Sequence, residues 1–303
     1  MSFHVPVMAQ QVAAGLVGDP QGVYVDATAG GGGHSRAILE RLGSQGRLIA
    51  VDRDPEAVAQ VRGALVDGRV MVVCGRFAEL EALLAQQGVA QIDGVLFDLG
   101  VSSHQIDQAS RGFSYQQDGP LDMRMEPGSG LSAADLIRES SAEELASLLA
   151  QYGEERRARG IARAICAAPA MDTTADLRRV VASTRPRHLP KTLARVFQAL
   201  RIAVNREPEQ LERGLAAGIA LLKRGGRLGV IAYHSLEDRL VKSTFAPLLK
   251  VCTCPPAIVV CVCGGRALFT KVGSRAQRAS RAELGNNRRA RSASLRLYQK
   301  GGD

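Results

Sequence analysis

Four short apolar runs separated by helical stretches constrain this chain more than any other feature. They are Val23-Tyr24-Val25-Asp26-Ala27, Arg47-Leu48-Ile49-Ala50-Val51-Asp52, Arg69-Val70-Met71-Val72-Val73-Cys74 and Ile92-Asp93-Gly94-Val95-Leu96-Phe97-Asp98. Their apolar residues are continuous rather than alternating, the pattern of strands covered on both faces. Helical patterns lie between them: His34 to Leu42, a segment opened by Asp54-Pro55, and Ala78 to Gln86. Strand and helix in alternation predict an α/β fold with a mainly parallel sheet.

The alternation stops after the fourth run. From Asp107 to Arg206 no segment reads as a strand, and helical stripes take over. Ser141-Ala142-Glu143-Glu144 is a capping box with Leu145, Leu148, Leu149 and Tyr152 behind it. Thr173-Thr174 opens a second helix, and Leu193, Val196, Phe197, Leu200 and Val204 stripe a third. The first pattern then resumes, with a helix from Glu209 to Lys223 ended by Gly225-Gly226, a strand Arg227 to Tyr233, a helix Ser235 to Phe245 and a last strand Ser294 to Tyr298. The expected organisation is a core in two parts, 1–106 and 207–303, interrupted by a helical domain at 107–206. A length of 303 residues suits about two such domains.

Charge follows these divisions. Residues 1–155 carry ten Lys/Arg against twenty-one Asp/Glu, whereas 156–206 carry twelve against two, and 266–300 carry ten against one. Two basic blocks in a chain of net charge +9 suit a polyanion such as nucleic acid, or else solvated helix faces and a basic tail. The longest apolar-or-Gly run, Gly214 to Leu222, is too short to span a bilayer, and the first residues lack a basic and an apolar signal region. With only six cysteines, no membrane partner and a cytoplasmic setting are expected.

Four glycines, Gly30 to Gly33, join the first strand to the first helix. Glycines let backbone approach a ligand closely, and a helix start offers free N–H groups. Asp52 ends the second strand, 22 residues beyond Gly30, where a carboxylate accepts from ribose hydroxyls. Ser35 stands where a dinucleotide fingerprint read from Gly30 needs glycine, and no P-loop occurs. Asp26, ahead of the glycines, suits the ammonium of S-adenosylmethionine. The bland reading is a flexible loop with Asp52 capping the next helix.

Asp98 ends the fourth strand at the sheet edge where α/β folds place chemistry. A carboxylate there accepts N–H bonds from an exocyclic amine and returns electron density to its nitrogen. Capping of the following turn is the competing role. His234 follows the fifth strand at the same edge, either touching the target base or capping the strand; Ser235 with Asp238 reads as a helix cap. Cys252, Cys254, Cys261 and Cys263 form two C-x-C pairs, either zinc ligands or plain reduced thiols.

Taken together these residues resemble the bacterial 16S ribosomal RNA cytosine-N4 methyltransferases, the RsmH or MraW family. The resemblance runs from His4-Val5-Pro6-Val7-Met8 through Asp26-Ala27-Thr28, Gly32-Gly33-His34-Ser35 and Val51-Asp52-Arg53-Asp54-Pro55. It continues through Asp98-Leu99-Gly100-Val101-Ser102-Ser103 with Gln105, Arg111-Gly112-Phe113-Ser114 and Asp118 to Met125. It ends in Tyr152-Gly153-Glu154-Glu155, Ala199 to Asn205 and His234-Ser235-Leu236-Glu237-Asp238-Arg239.

The resemblance implies a class I, Rossmann-like S-adenosylmethionine-dependent methyltransferase core with an inserted all-helical domain that recognises RNA. It implies methylation of N4 of one cytidine in the decoding region of 16S ribosomal RNA, in the assembled small subunit, with no metal required. Homodimerisation stays open. The cofactor contacts carry over to Gly32, Gly33, His34, Asp52, Phe77, Asp98 and Gln105, and the catalytic candidates are Asp98 and His234. Phe77 would pack on the adenine; ordinary core is its other reading. The sequence departs from amino-methyltransferases in placing Leu99-Gly100-Val101 after Asp98, with no aromatic to stack the base, so Phe113, Tyr115 and Tyr233 are considered instead. Arg288 stands where proline is expected, which puts the local turn in doubt. A DNA amino-methyltransferase and a non-catalytic RNA-binding assembly factor are the alternatives.

Overall fold

The computed structural model describes residues 6–251, 254, 258–260, 262 and 265–301. The chain divides into two compact units, Met1–Gly100 with Glu209–Asp303, and Val101–Pro208.

The first unit opens with helix α1 (Ala9–Leu16), β1 (Val23–Asp26), α2 (Gly33–Leu39), β2 (Arg47–Asp52), α3 (Pro55–Ala64), β3 (Val70–Cys74), α4 (Leu80–Gln86) and β4 (Ile92–Asp98). The intervening unit holds α5 (Ser103–Asp107), α6 (Ala133–Glu139), α7 (Ala142–Gly153), α8 (Ala158–Cys166), α9 (Thr174–Ser183) and α10 (Leu189–Asn205). Then follow α11 (Glu207–Leu221), β5 (Leu222–Ala232), α12 (Ser235–Leu248), β6 (Phe269–Lys271), α13 (Arg281–Asn286) and β7 (Ser294–Lys300).

Seven strands form one sheet in the order β3-β2-β1-β4-β5-β7-β6. The first five are parallel, and β7 runs antiparallel to both β5 and β6. The apolar runs are continuous because successive side chains serve two cores. In β4, Val95 and Phe97 join one core with Leu80, Leu215 and Tyr298, while Leu96 joins the opposite one with Leu16, Ile38 and Leu297. The fold is therefore the Rossmann-like α/β core expected, with the order reversing at β1 and β4. Ligand crevices form at such reversals, outside the carboxyl ends of the strands.

Some boundaries differ from the sequence reading. The helix expected to run to Lys223 ends at Leu221, and β5 starts at once, because Leu222 pairs with Ile92 and a register shift absorbs the two glycines. Helix α1, a segment the sequence reading did not assign, packs Val12, Ala13 and Leu16 inward. In the basic tail β6, α13 and a 3-10 turn, Arg288–Arg291, are ordered elements, and the turn forms despite the missing proline.

Within the helical unit four helices start in capping boxes, Ser102 with Gln105, Ser132 with Asp135, Ser141 with Glu144 and Thr173 with Asp176. Its core joins Phe113, Met123, Leu145, Ile161, Leu177, Val196 and Leu200. Asn205, at the end of α10, donates to the Met123 carbonyl at 2.8 Å and accepts from the Met125 amide at 2.8 Å. Two distant motifs of the resemblance thus meet in a backbone clasp, with Met123 held in the left-handed region at φ 61°.

Candidate active site

The carboxyl ends of β1, β2, β4 and β5 gather Asp26, Asp52, Asp98 and Tyr233. The glycine loop leaves β1 and enters α2 with Gly32 as the N-cap residue at φ 79°, a left-handed conformation suited to glycine. Gly33 starts the helix, and a side chain there would strike Pro6, 2.9 Å from the Cβ position. The loop and the segment Pro6–Met8 therefore lie in contact.

Asp52 is tied to this loop. Its Oδ2 accepts from the Gly30 amide at 2.7 Å and its Oδ1 from the Asp54 amide at 2.9 Å. The cap of α3 is Asp54, which accepts from the Glu56 amide at 3.1 Å, so Asp52 keeps lone pairs for a ligand. Burial pushes the Asp52 carboxyl up to about 6, against the two N–H bonds that favour its charged form.

Asp26 has a different role from the one expected. It is fully buried, accepts from the Ser35 hydroxyl at 2.6 Å and from the Thr28 amide at 3.3 Å, and so braces the loop from beneath. Burial raises its pKa, opposed first by the His34 charge and then by the Ser35 hydrogen bond. A carboxylate turned inward in this way does not face a ligand's ammonium.

Asp98, like Asp52, is partly exposed, its side chain 23% accessible. Its backbone N–H donates to Thr28 Oγ1 at 2.6 Å, joining the end of β4 to the loop after β1. Its Oδ2 lies 3.3 Å from His34 Nδ1, and its Oδ1 accepts from the Tyr233 hydroxyl at 2.8 Å. The other ring nitrogen of His34, Nε2, donates to the Val7 carbonyl at 2.8 Å. Both nitrogens thus face acceptors. Burial would lower the imidazole's pKa, but the Asp98 charge, the Asp98 hydrogen bond and the Asp26 charge prevail and raise it to about 9. Burial and then the Asp98 charge push the Tyr233 phenol above its ordinary range, so at neutral pH it is a donor.

His234 is the N-cap of α12. Its Nδ1 accepts from the Glu237 amide at 3.4 Å, and Nε2 lies 3.1 Å from Glu237 Oε1. The capping residue is His234 rather than Ser235. Asp238 instead binds Arg296 through both oxygens, at 2.7 and 3.2 Å. Phe77 packs edge-on against Phe97, ring centroids 5.6 Å apart, and a side chain on Gly214 would run into its ring. It is a half-buried part of the core.

Gln105 belongs to the helical unit, where its Oε1 accepts from the Ser102 amide at 3.0 Å in the capping box of α5. Phe113 and Tyr115 belong to that unit's own core, with Tyr115 edge-on to Phe197 at 5.6 Å. Of the three aromatics considered for stacking, Tyr233 is the one bonded to Asp98. Sequence reading missed Thr28 and the Tyr233–Asp98 bond; the position of both residues at strand ends of the ligand-binding edge was the available signal. The four-cysteine zinc reading rests on Cys252, Cys261 and Cys263, which lie outside the described residues. Among the described residues no helix is long and apolar enough to cross a membrane.

The residues suit an adenosyl donor in the crevice. A Cβ-free turn at a helix start, a half-buried carboxylate with open lone pairs at the next strand end, and a second partly exposed carboxylate beside them offer the N–H, ribose and amine contacts it needs.

Comparison with known proteins gives a consistent result. Residues 1–301 match the model of the MraW methylase family. A Halorhodospira halophila protein named "Ribosomal RNA small subunit methyltransferase H" is 51% identical over 305 residues, covering 98% of this chain and 94% of its own. Proteins of the same name from Thermomicrobium roseum and Trichlorobacter lovleyi are 48% and 47% identical, covering 98% of this chain and 93% and 98% of theirs. An rRNA methylase structure from Streptococcus thermophilus aligns at a TM-score of 0.43 with 12% identity, covering 100% of this chain and 99% of its own.

Proposed function

We propose, from the premise that this chain belongs to the MraW methylase family, that it is an S-adenosylmethionine-dependent methyltransferase of small-subunit ribosomal RNA whose acceptor is the N4 amine of a cytidine in the 16S decoding region. Relatives at 47–51% identity over nearly full length carry the small-subunit RNA name, which supports the RNA reading over DNA. The observation that carries the amine acceptor is Asp98: a carboxylate at the end of β4, anchored through Thr28 to the glycine loop and still partly open.

S-adenosylmethionine, when bound, supplies a sulfonium methyl group that passes to the amine nitrogen as the carbon–sulfur bond breaks, its electron pair staying on sulfur and one N–H proton leaving to water. The protein's own residues prepare the acceptor. Asp98 takes an N–H hydrogen bond from the amine, returns density to its nitrogen and stabilises the positive charge that develops there. Asp52 accepts from the ribose hydroxyls, and Gly32 and Gly33 line the cofactor side with His34 behind them. Phe77 and Gln105 complete the proposed cofactor contacts, and His234 is the second candidate at the acceptor side.

The basic helical unit, residues 107–206, recognises RNA in this reading, between core segments 1–106 and 207–303. Its exposed Arg159 and Arg163 on α8 and Arg178 on α9 suit phosphates. The target base would be extruded into the pocket, as such chemistry requires. The substrate is the assembled small subunit in the cytoplasm, and two copies of the chain can act together without change to this scheme.

Labelled methyl donor, incubated with small subunits from cells lacking the enzyme, tests the proposal. Nuclease mapping is expected to place the label on one cytidine N4. Label on another atom, on duplex DNA alone, or on nothing would overturn it.

A further inference from the structure

We propose that Tyr233 is a positioning residue for the methyl transfer, holding Asp98 through its hydroxyl so that the carboxylate meets the acceptor amine in one fixed orientation. This rests on the reading of Asp98 as the group that receives the amine.

The geometry points to it in three ways. First, the carboxylate is held at both ends: Oδ1 by the Tyr233 hydroxyl at 2.8 Å and Oδ2 by His34 at 3.3 Å. A carboxylate with one such partner swings about its Cβ–Cγ bond; with two it does not. Each oxygen keeps a second lone pair, and the 23% accessible side chain leaves those directions reachable.

Second, Tyr233 is itself fixed. Its amide donates to Glu237 Oε2 at 2.7 Å, and Glu237 is locked into the first turn of α12 by the His234 cap. Its ring lies against Gly100, where an added Cβ would sit 3.7 Å from Cδ2. The bond spans 135 residues and joins the ends of β4 and β5, the adjacent strands that deliver the acid and the capping motif.

Third, the partners divide the work. His34, charged and bonded to the Val7 carbonyl, neutralises Asp98 from the cofactor side. Tyr233 adds a neutral donor, which orients without a further charge. A phenol raised by burial and by Asp98 keeps its proton at neutral pH, so it neither takes the amine's proton nor competes for it. Preorganised dipoles of this kind act by sparing reorganisation as charge develops.

Tyr233→Phe removes one oxygen and leaves the ring packed. Single-turnover methyl transfer to small subunits at saturating cofactor should fall about 10- to 100-fold, the range of a lost bond to a charged group. Calorimetric affinity for S-adenosylmethionine and the KM for subunits should stay within about twofold, since only the reacting geometry loses a contact. Asp98→Asn and the double variant complete a cycle, read both by rate and by equilibrium denaturation. The expected result is a coupling in stability and no further rate loss from Tyr233→Phe once Asp98 is Asn.

An unchanged rate in Tyr233→Phe, with Asp98→Asn inactive, overturns the role of Tyr233 and leaves Asp98 in place. Loss of rate together with cofactor affinity, or additive losses in the cycle, also overturns it, because the hydroxyl then supports the site as a whole and not the orientation of Asp98. A fully active Asp98→Asn removes the underlying reading instead.

Discussion

Gly30 donates its amide hydrogen to Asp52 at 2.7 Å, so the residue placed to hold a ribose also holds the glycine loop against which the ligand lies. The end of β2 and the turn after β1 act as one piece. Changes at Asp52 should therefore reach the glycine loop as well as the ribose.

Asp52→Ala should weaken S-adenosylmethionine binding by about 1.5–3 kcal/mol, roughly 10- to 150-fold in Kd. The strand should survive, because Leu48, Ile49, Ala50 and Val51 keep their buried contacts. Calorimetry measures the affinity and thermal denaturation the fold; undiminished affinity would remove Asp52 from the site.

The same residue gives the binding a pH dependence. Asp52 is raised from 3.8 to about 6, so below that pH its carboxyl is protonated and loses acceptors for the ribose. Affinity should be level above about pH 7 and fall by up to about tenfold per unit further down. The free protein shows the opposite sign: a raised acid binds its proton more tightly when folded, so this group adds stability as pH falls through 6 toward 4. Titrations across this range should show the slope in the wild type and a flat line in Asp52→Asn.

His34 governs the alkaline side. Its imidazole is raised from 6.5 to about 9, so its contribution is complete below about 6.5 and disappears as pH rises through 9. The contribution is at most about 3 kcal/mol. Tm should decline over that interval in the wild type and much less in His34→Gln. Identical alkaline profiles in the two proteins would mean that the Asp98 pair does not stabilise the fold.

Arg159, Arg163 and Arg178 are exposed on α8 and α9. Their joint replacement by Ala should flatten the salt dependence of RNA affinity by up to about 2–3 units of slope, at 0.7–0.9 per phosphate contact. Cofactor affinity should not change, since these residues lie outside the α/β unit. Filter binding at several salt concentrations reads the slope, and an unaltered slope assigns these arginines to solvent.

Much of this was legible because it is written in local pattern. The four strands announced themselves as apolar runs, and Ser141 and Thr173 marked helix starts by spacing alone. Helix α8 was passed over although Ala158, Ile161, Ala162 and Ile165 recur at helical spacing, because two of the four are small alanines set among arginines. Strand β6, three residues long, has no pattern of its own and exists because β7 offers it partners. At the site, composition pointed to Asp52 and Asp98 but also to Asp26, whose burial under Ser35 depends on how β1 enters the loop. The Tyr233–Asp98 bond leaves no trace in local pattern, since sheet order, not sequence distance, brings β4 beside β5.

The place of β7 in that sheet bears on how the chain comes into being. Strand β7, Ser294–Lys300, is hydrogen-bonded between β5 and β6. During synthesis the helical unit is complete once Pro208 has emerged, and it can fold as a nascent piece. The α/β unit has to wait nearly ninety residues more, with β5 an open edge until the last strand arrives. The sheet of the α/β unit is therefore completed only after the helical unit has been synthesised, and a message cut short before β7 would leave a sheet edge free to pair with another chain.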